Sequence, residues 1–285
     1  MRSGFVALLG RPNVGKSTLL NHVLGQKVSI TSSRPQTTRT RVHGVLTLPA
    51  HPGVGDDVQI VFVDTPGIHK PKTALGERLN ATAAGAATDV DVVCLMIDAT
   101  APFGRGDEHV ARQVPPDGIV VINKIDRASN EELVRQLTAV AALDRSAYFP
   151  VSARTGEGVD ALVEELARRM PEGPPYYPDD MVTDQPDAVW VAELVREQLF
   201  RTLREEMPYS IATRVTELDW PHITCEILVE RESQKGMVIG KGGRVLKEVG
   251  TRVRAQLRDG IFLELKVRVD KNWQRRPETF DELGY

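Results

Sequence analysis

From the N-terminus to Met170, short apolar runs alternate with amphipathic stretches. The runs occupy residues 5–9, 59–63, 90–97, 118–122 and 147–151, each bounded by polar turns. Most are apolar at successive rather than alternate positions, as in strands buried on both faces of a parallel sheet. With helix-like stretches between them, they predict a doubly wound α/β domain with a mostly parallel sheet. Residues 47–57 (TLPAHPGVGDD) have the Pro, Gly and Asp content of a hairpin turn. Residues 157–170 place Val159, Leu162, Val163, Leu166 and Met170 at helical spacing, which predicts a closing helix.

The pattern then breaks. Residues 171–187 (PEGPPYYPDDMVTDQPD) hold five prolines and cannot form a helix interior. Beyond them the order becomes helix (190–207), two strand-like runs (210–217 and 224–230), helix, GKGG, helix, and a last strand (262–269). This αββααβ order predicts a second, α+β domain. The expected division is a first domain at 1–172, a linker at 173–188, a second domain at 189–272 and a tail at 273–285.

The chemistry concentrates in the turns. GRPNVGKS (Gly10, Arg11, Pro12, Asn13, Val14, Gly15, Lys16, Ser17) follows the first apolar run and precedes Thr18 and a helical start. This strand–GxxxxGKS–helix context is a phosphate-binding P-loop: backbone N–H groups cradle phosphates, Lys16 adds charge, and Ser17 offers a hydroxyl to Mg²⁺. Asp64, Thr65, Pro66 and Gly67 end the next apolar run, where an Asp serves Mg²⁺ and the Gly N–H meets the γ-phosphate. Asn123, Lys124 and Asp126 (NKID) select the base, because a carboxylate accepts from guanine N1–H and N2–H₂, whereas adenine offers no such donor pair. Ser152, Ala153 and Arg154 follow the next strand, with the Ala153 N–H placed to meet guanine O6. The motifs predict GTP or GDP with Mg²⁺.

Residues 32–44 (SSRPQTTRTRVHG) form a polar loop suited to ordering by γ-phosphate and Mg²⁺. Gln36, Thr37 and Thr38 fall in it. Thr38 is the favoured second Mg²⁺ hydroxyl, with Thr37 and Thr40 as alternatives. Lys16, Thr38 and Asn13 are the candidate catalytic residues, Asn13 serving either as a K⁺ ligand or only as a turn residue. Ile68 stands where some GTPases place a water-orienting glutamine, so slow intrinsic turnover is expected. His69 is either a base or a solvated loop residue.

The chain carries 36 basic and 39 acidic residues, a net charge of −3, so polyanion binding requires local clustering. Residues 231–276 supply it, with thirteen Lys and Arg against five Asp and Glu. The loop Gly240, Lys241, Gly242, Gly243 lets a nucleic-acid backbone approach without Cβ atoms in the way, and Arg244 and Lys247 continue the basic stripe. Loop, stripe and element order together predict a type II KH domain that binds RNA. Cys94 and Cys225 read as reduced core thiols and, with no signal pattern or membrane-length apolar run, favour a soluble cytoplasmic chain. Trp273 either stacks on a base or packs the tail; Trp190 and Trp220 read as core or domain packing.

RPQTTR (34–39), DTPGIHKPKTALGERLN, VIGKGGRVLKEVG and the terminal NWQRRPETFDELGY resemble the Era family of bacterial GTPases over nearly the whole chain. The resemblance implies GTP hydrolysis, binding of the 3′ end of small-subunit (16S) ribosomal RNA through the KH domain, and a role in small ribosomal subunit assembly. It also implies peripheral membrane association; a monomer is expected. By resemblance, residues 36–40 carry the second GTPase motif, 240–243 clamp RNA, and Ile68 fits a family without a switch glutamine. The Pro/Gly/Asp-rich turn at 49–57 is longer than the family pattern. Two other readings fit the same motifs: an RNA scaffold stabilised by nucleotide, and a GTPase in RNA modification that presents tRNA.

Overall fold

The computed structural model describes residues 1–32, 34, 37–50, 55–71, 73–203 and 207–285. The chain forms two compact units, one of residues 1–71 and 78–184, the other of 72–77 and 185–285. In the first, a six-stranded sheet has the order β2-β3-β1-β4-β5-β6. Its strands are β1 (Arg2–Gly10), β2 (Val42–Leu48), β3 (Val58–Asp64), β4 (Val92–Asp98), β5 (Ile119–Asn123) and β6 (Ala147–Val151). All neighbours pair in parallel except β2 with β3, the antiparallel hairpin. The helices are α1 (Lys16–Val23), α2 (Ala74–Gly85, from residue 78 on in this unit), α3 (Arg105–Ala111), α4 (Asn130–Ala141) and α5 (Val159–Arg169).

The unbroken apolar runs have the consequence expected of them, because both faces of this sheet are buried. Val6, Leu8, Phe62, Cys94 and Val121 point to one side and join Leu20 of α1 and Leu162 of α5. Leu9, Val93, Leu95 and Val120 point to the other and join Val110 of α3 and Val140 of α4. Parallel strands aligned this way bring the C-terminal ends of β1, β3, β4 and β5 to one edge, the usual place for a ligand in such sheets.

One polar residue inside a strand organises the proline-rich stretch. Gln59 of β3 is fully buried. Its Oε1 accepts from the N–H groups of Tyr176 and Tyr177 at 2.8 and 3.0 Å, and its Nε2 donates to Tyr177 O at 2.8 Å. Val45 N donates to Val182 O at 2.8 Å. Asp184 accepts from Tyr177 OH at 2.8 Å and lies 2.9 Å from His43 Nδ1. Residues 173–184 are therefore part of the first unit, folded onto β2 and β3.

In the second unit α6 (Asp187–Thr202), α7 (Glu232–Ile239) and α8 (Arg244–Arg254) accompany a sheet of β7 (Ala212–Asp219), β8 (His222–Val229) and β9 (Phe262–Val269). β7 and β8 are antiparallel, β8 and β9 parallel. The chain order is αββααβ. A short helix, α9 (Pro277–Leu283), ends it. Trp273 is fully buried and donates from Nε1 to Ser210 O at 3.1 Å, so it packs the tail and cannot stack on a base. Trp220 is half-buried beneath the Arg258 guanidinium, 4.0 Å from its ring centre, rather than in a core.

Candidate functional site

The turn after β1 wraps a cavity of about 320 Å³ whose walls include Asn13, Lys16, Thr18, Thr37, Thr38, Gly67 and Lys124. Gly15 enters α1 with φ 103°, and a Cβ there would stand 2.2 Å from Asn123 Nδ2. Only glycine tolerates both the conformation and the contact. Lys16 curls over the turn, its Nζ donating to Gly10 O and Arg11 O, both at 3.2 Å. Burial pushes its ammonium down to about 8, with Asp64 opposing the shift. Val14 is buried, and Arg11 reaches away to Asp107 at 3.0 Å.

Asp64, at the end of β3, collects the hydroxyls. Its Oδ2 accepts from Ser17 at 2.6 Å, Ser29 at 2.9 Å and Thr38 at 3.3 Å, while Ser17 and Thr38 Oγ atoms are 3.0 Å apart. Its Oδ1 is buried with no hydrogen-bond partner. Burial raises the Asp64 pKa; Lys16 and the three hydroxyls counter it. A buried carboxylate with an open oxygen, beside two hydroxyls, is a donor set of the hard-oxygen kind that Mg²⁺ takes. Of the threonines considered for this place, Thr38 lies on Asp64, whereas Thr37 bonds Arg34 O at 2.8 Å. Gln36 lies outside the described residues. Thr65 is buried and donates to Leu8 O at 2.7 Å, and Pro66 and Gly67 follow, both buried.

The third cluster sits at the ends of β5 and β6. Asn123 bridges two turns, donating from Nδ2 to Val14 O at 2.8 Å and accepting from Ala153 N–H at 2.9 Å. Asp126 Oδ1 accepts from the buried Ser152 hydroxyl at 2.8 Å. Its Oδ2 is buried without a hydrogen bond, and the exposed Arg154 places Nε 3.5 Å away. Such an oxygen is costly unless a ligand N–H completes it.

Two positions escaped the sequence reading. Ser29 holds Asp64 from behind, and nothing in its local pattern marks it. Asp98, at the end of β4, binds Lys124 Nζ at 2.5 Å and Thr100 N–H at 2.9 Å. Burial would raise its pKa, but the Lys124 and Thr100 hydrogen bonds prevail and hold it low. A carboxylate closing a strand between those of Asp64 and Asn123 was the available signal. Conversely, Ile68 is buried with its N–H on Gly10 O at 3.1 Å, and His69 faces away from the Lys16 cavity into a neighbouring one.

In the second unit Gly240, Gly242 and Gly243 all have positive φ (73°, 61° and 75°), and the space beside Gly242 and Gly243 is open for at least 4 Å. Lys241 is exposed. Along α8, Val249 and Val253 are buried while Arg244, Lys247 and Arg254 form an exposed stripe. Arg258, beyond α8, is diverted onto Trp220.

Residues 5–124 match the 50S ribosome-binding GTPase family and residues 195–274 the KH domain family. GTPase Era of Mycobacterium tuberculosis is 45% identical over 302 aligned residues, covering 99% of this chain and 98% of that one. A crystal structure of Era with MgGDPNP and nucleotides 1506–1542 of 16S ribosomal RNA is similar at TM-score 0.93, with 39% identity, covering 100% of this chain and 99% of that one. An Aquifex aeolicus Era variant bound to GDP·AlF₄⁻ gives TM-score 0.92 and 39% identity over the same shares of the two chains. With the P-loop and NKID turns on one sheet edge of the first unit and a KH domain following in the chain, this chain belongs to the Era family of GTPases.

Proposed function

We propose that this chain hydrolyses GTP to switch its hold on the 3′ end of small-subunit ribosomal RNA during assembly of that subunit. The observation that carries the reading is the full-length likeness to Era bound to MgGDPNP and 16S ribosomal RNA nucleotides. The geometry is consistent with it at both ends. Lys16 and the N–H groups of residues 13–18 hold the phosphates, and the open Asp126 Oδ2 takes guanine N–H donors while Ala153 N–H meets O6. Ser17, Thr38 and Asp64 would hold Mg²⁺, which when bound neutralises charge developing on the phosphate oxygens. Thr38 belongs to the switch loop, so holding it on Asp64 orders that loop, and losing the γ-phosphate releases it.

Ile68 cannot orient water, so intrinsic hydrolysis is slow. Gly240–Gly243 admits an RNA backbone, with Lys241, Arg244 and Lys247 on its phosphates. Among the described residues no helix is long and apolar enough to cross a membrane, and Cys94 and Cys225 are free and buried. Buried free thiols suit a reducing compartment such as the cytoplasm.

The test is crosslinking of the protein, loaded with GDPNP, to cellular RNA followed by sequencing. A peak at the small-subunit RNA 3′ end supports the reading, and its loss in Lys241→Asp/Gly242→Asp with hydrolysis kept assigns it to the KH loop. A peak on tRNA, or equal RNA affinity with GDP and GDPNP, refutes the substrate or the switch respectively.

A further inference from the structure

A second cavity, of about 690 Å³, lies in the first unit on the other side of Pro12 and Asn13 from the nucleotide cavity. Its volume is that of a ligand site. One wall is the segment from Ile68 to Pro71, which Asn80 holds through two hydrogen bonds to the His69 backbone, at 3.2 and 2.6 Å. The opposite wall is α3, presenting Arg105, Gly106 and His109. Arg11 lies across the first turn of that helix, where a Cβ on Gly106 would come within 3.1 Å of its Cδ and Nε.

The electrostatics are one-sided. Lys70 and Arg105 bring two cations to the lining beside Arg11, whose charge is paired with Asp107, and no carboxylate among the described residues lines it. The nearby Asp107 is buried, its Oδ2 already accepting from Arg11 at 3.0 Å and Gly104 N–H at 3.1 Å. Ile68 and Pro71 supply apolar wall, and cations set against a low-dielectric wall focus their field into the cavity. The surface therefore suits a small oxyanion.

The two cavities adjoin at a thin partition. Both touch Pro12 and Asn13; Gly67 lines the first and Ile68 the second. Gly67 packs so tightly on the P-loop that a Cβ there would stand 2.6 Å from Pro12 N. Hydrolysis leaves a phosphate ion at the P-loop while GDP still fills the rest of the nucleotide cavity. The Gly67 segment is the one that holds the γ-phosphate, so it loosens on cleavage.

We propose that this second cavity is a binding site for inorganic phosphate, the station through which the cleaved γ-phosphate leaves between Gly67 and Pro12 onto Arg105, Lys70 and Arg11. The site rests on the GTPase reading given above. It makes departure of the product a step separate from cleavage, governed by residues that do not touch GTP.

The experiment titrates inorganic phosphate into the protein loaded with Mg²⁺ and GDPNP, whose γ-phosphate fills the nucleotide cavity, and reads binding by phosphorus NMR. Phosphate is expected to bind this loaded form. In Lys70→Ala/Arg105→Ala, which loses two charge-assisted hydrogen bonds, affinity should fall at least about tenfold, and Arg105→Glu should abolish binding. Both side chains are exposed, so these variants keep the fold. Binding only to the GDP-loaded protein would put the ion at the γ-phosphate position and overturn the proposal. Unchanged affinity in the variants overturns it as well. Failure of the parent protein to take up GDPNP at all would be seen before any phosphate is added, and would refute the nucleotide reading together with this site.

Discussion

Titrating Lys16 tests the phosphate site from its own energetics. The side chain is 5% exposed, and burial takes its ammonium from 10.5 to about 8 in the absence of phosphate. That shift corresponds to about 3 kcal/mol against the charged form. Nucleotide phosphates favour the ammonium, so binding returns the missing proton. At pH 8.5 about three-quarters of the empty sites hold a neutral amine and binding takes up about 0.75 proton, against about 0.1 at pH 7. Affinity is accordingly flat below about pH 8 and falls by up to about tenfold per pH unit above it. The same group acts on the stability of the empty protein with a fixed sign. The folded state binds fewer protons between about 8 and 10.5, so its penalty is complete below that window and is relieved as pH rises through it.

Calorimetric titration with GDP in EDTA isolates this lysine from any Mg²⁺ taken up beside Asp64. Two buffers of different ionisation enthalpy give the proton count at each pH. Uptake below about 0.2 proton at pH 8.5 would refute the account of Lys16 as a charge held in reserve for phosphate.

Asp98→Ala releases Lys124 from its 2.5 Å ion pair, and GDP affinity should drop about tenfold in a fluorescent-nucleotide titration. Unchanged affinity would mean that Lys124 needs no anchor. Gly15→Ala places a methyl 2.2 Å from Asn123 Nδ2 at φ 103°, which costs on the order of 3 kcal/mol and shows as a lowered melting temperature together with lost GDP binding. Trp273→Ala empties a fully buried site in the second unit and should cost about 3–5 kcal/mol in urea unfolding, with nucleotide affinity unaffected.

Much of the nucleotide site was legible because its chemistry is local. A P-loop, an Asp at a strand end and NKID each place several contacting atoms within a few residues, and the unbroken apolar runs mark the buried strands that carry them. Ser29 was not legible. Its role depends on a loop returning to Asp64 across 35 residues, and a serine in a polar stretch has no periodicity to betray it. Gln59 misled for the opposite reason: a polar residue inside a buried strand looks like a strand start, whereas its amide is spent on Tyr176 and Tyr177. Trp220 illustrates the limit of composition, since a large aromatic reads as core until the hairpin puts it under Arg258.

The strap formed by residues 173–184 bears on how this protein avoids sticking to itself. β2 is the outer strand of the six-stranded sheet, and an uncovered outer strand is a template for adding strands from other molecules. The Val182 carbonyl occupies the Val45 N–H, while Tyr177, Thr183 and Asp184 crowd around His43. A fragment ending at the close of α5 would lose that cover and offer β2 to its neighbours, whereas one ending at Asp184 would keep it. The proline-rich stretch is thus the hem of the sheet, and its prolines, unable to donate to a further strand, make it a poor seed for aggregation.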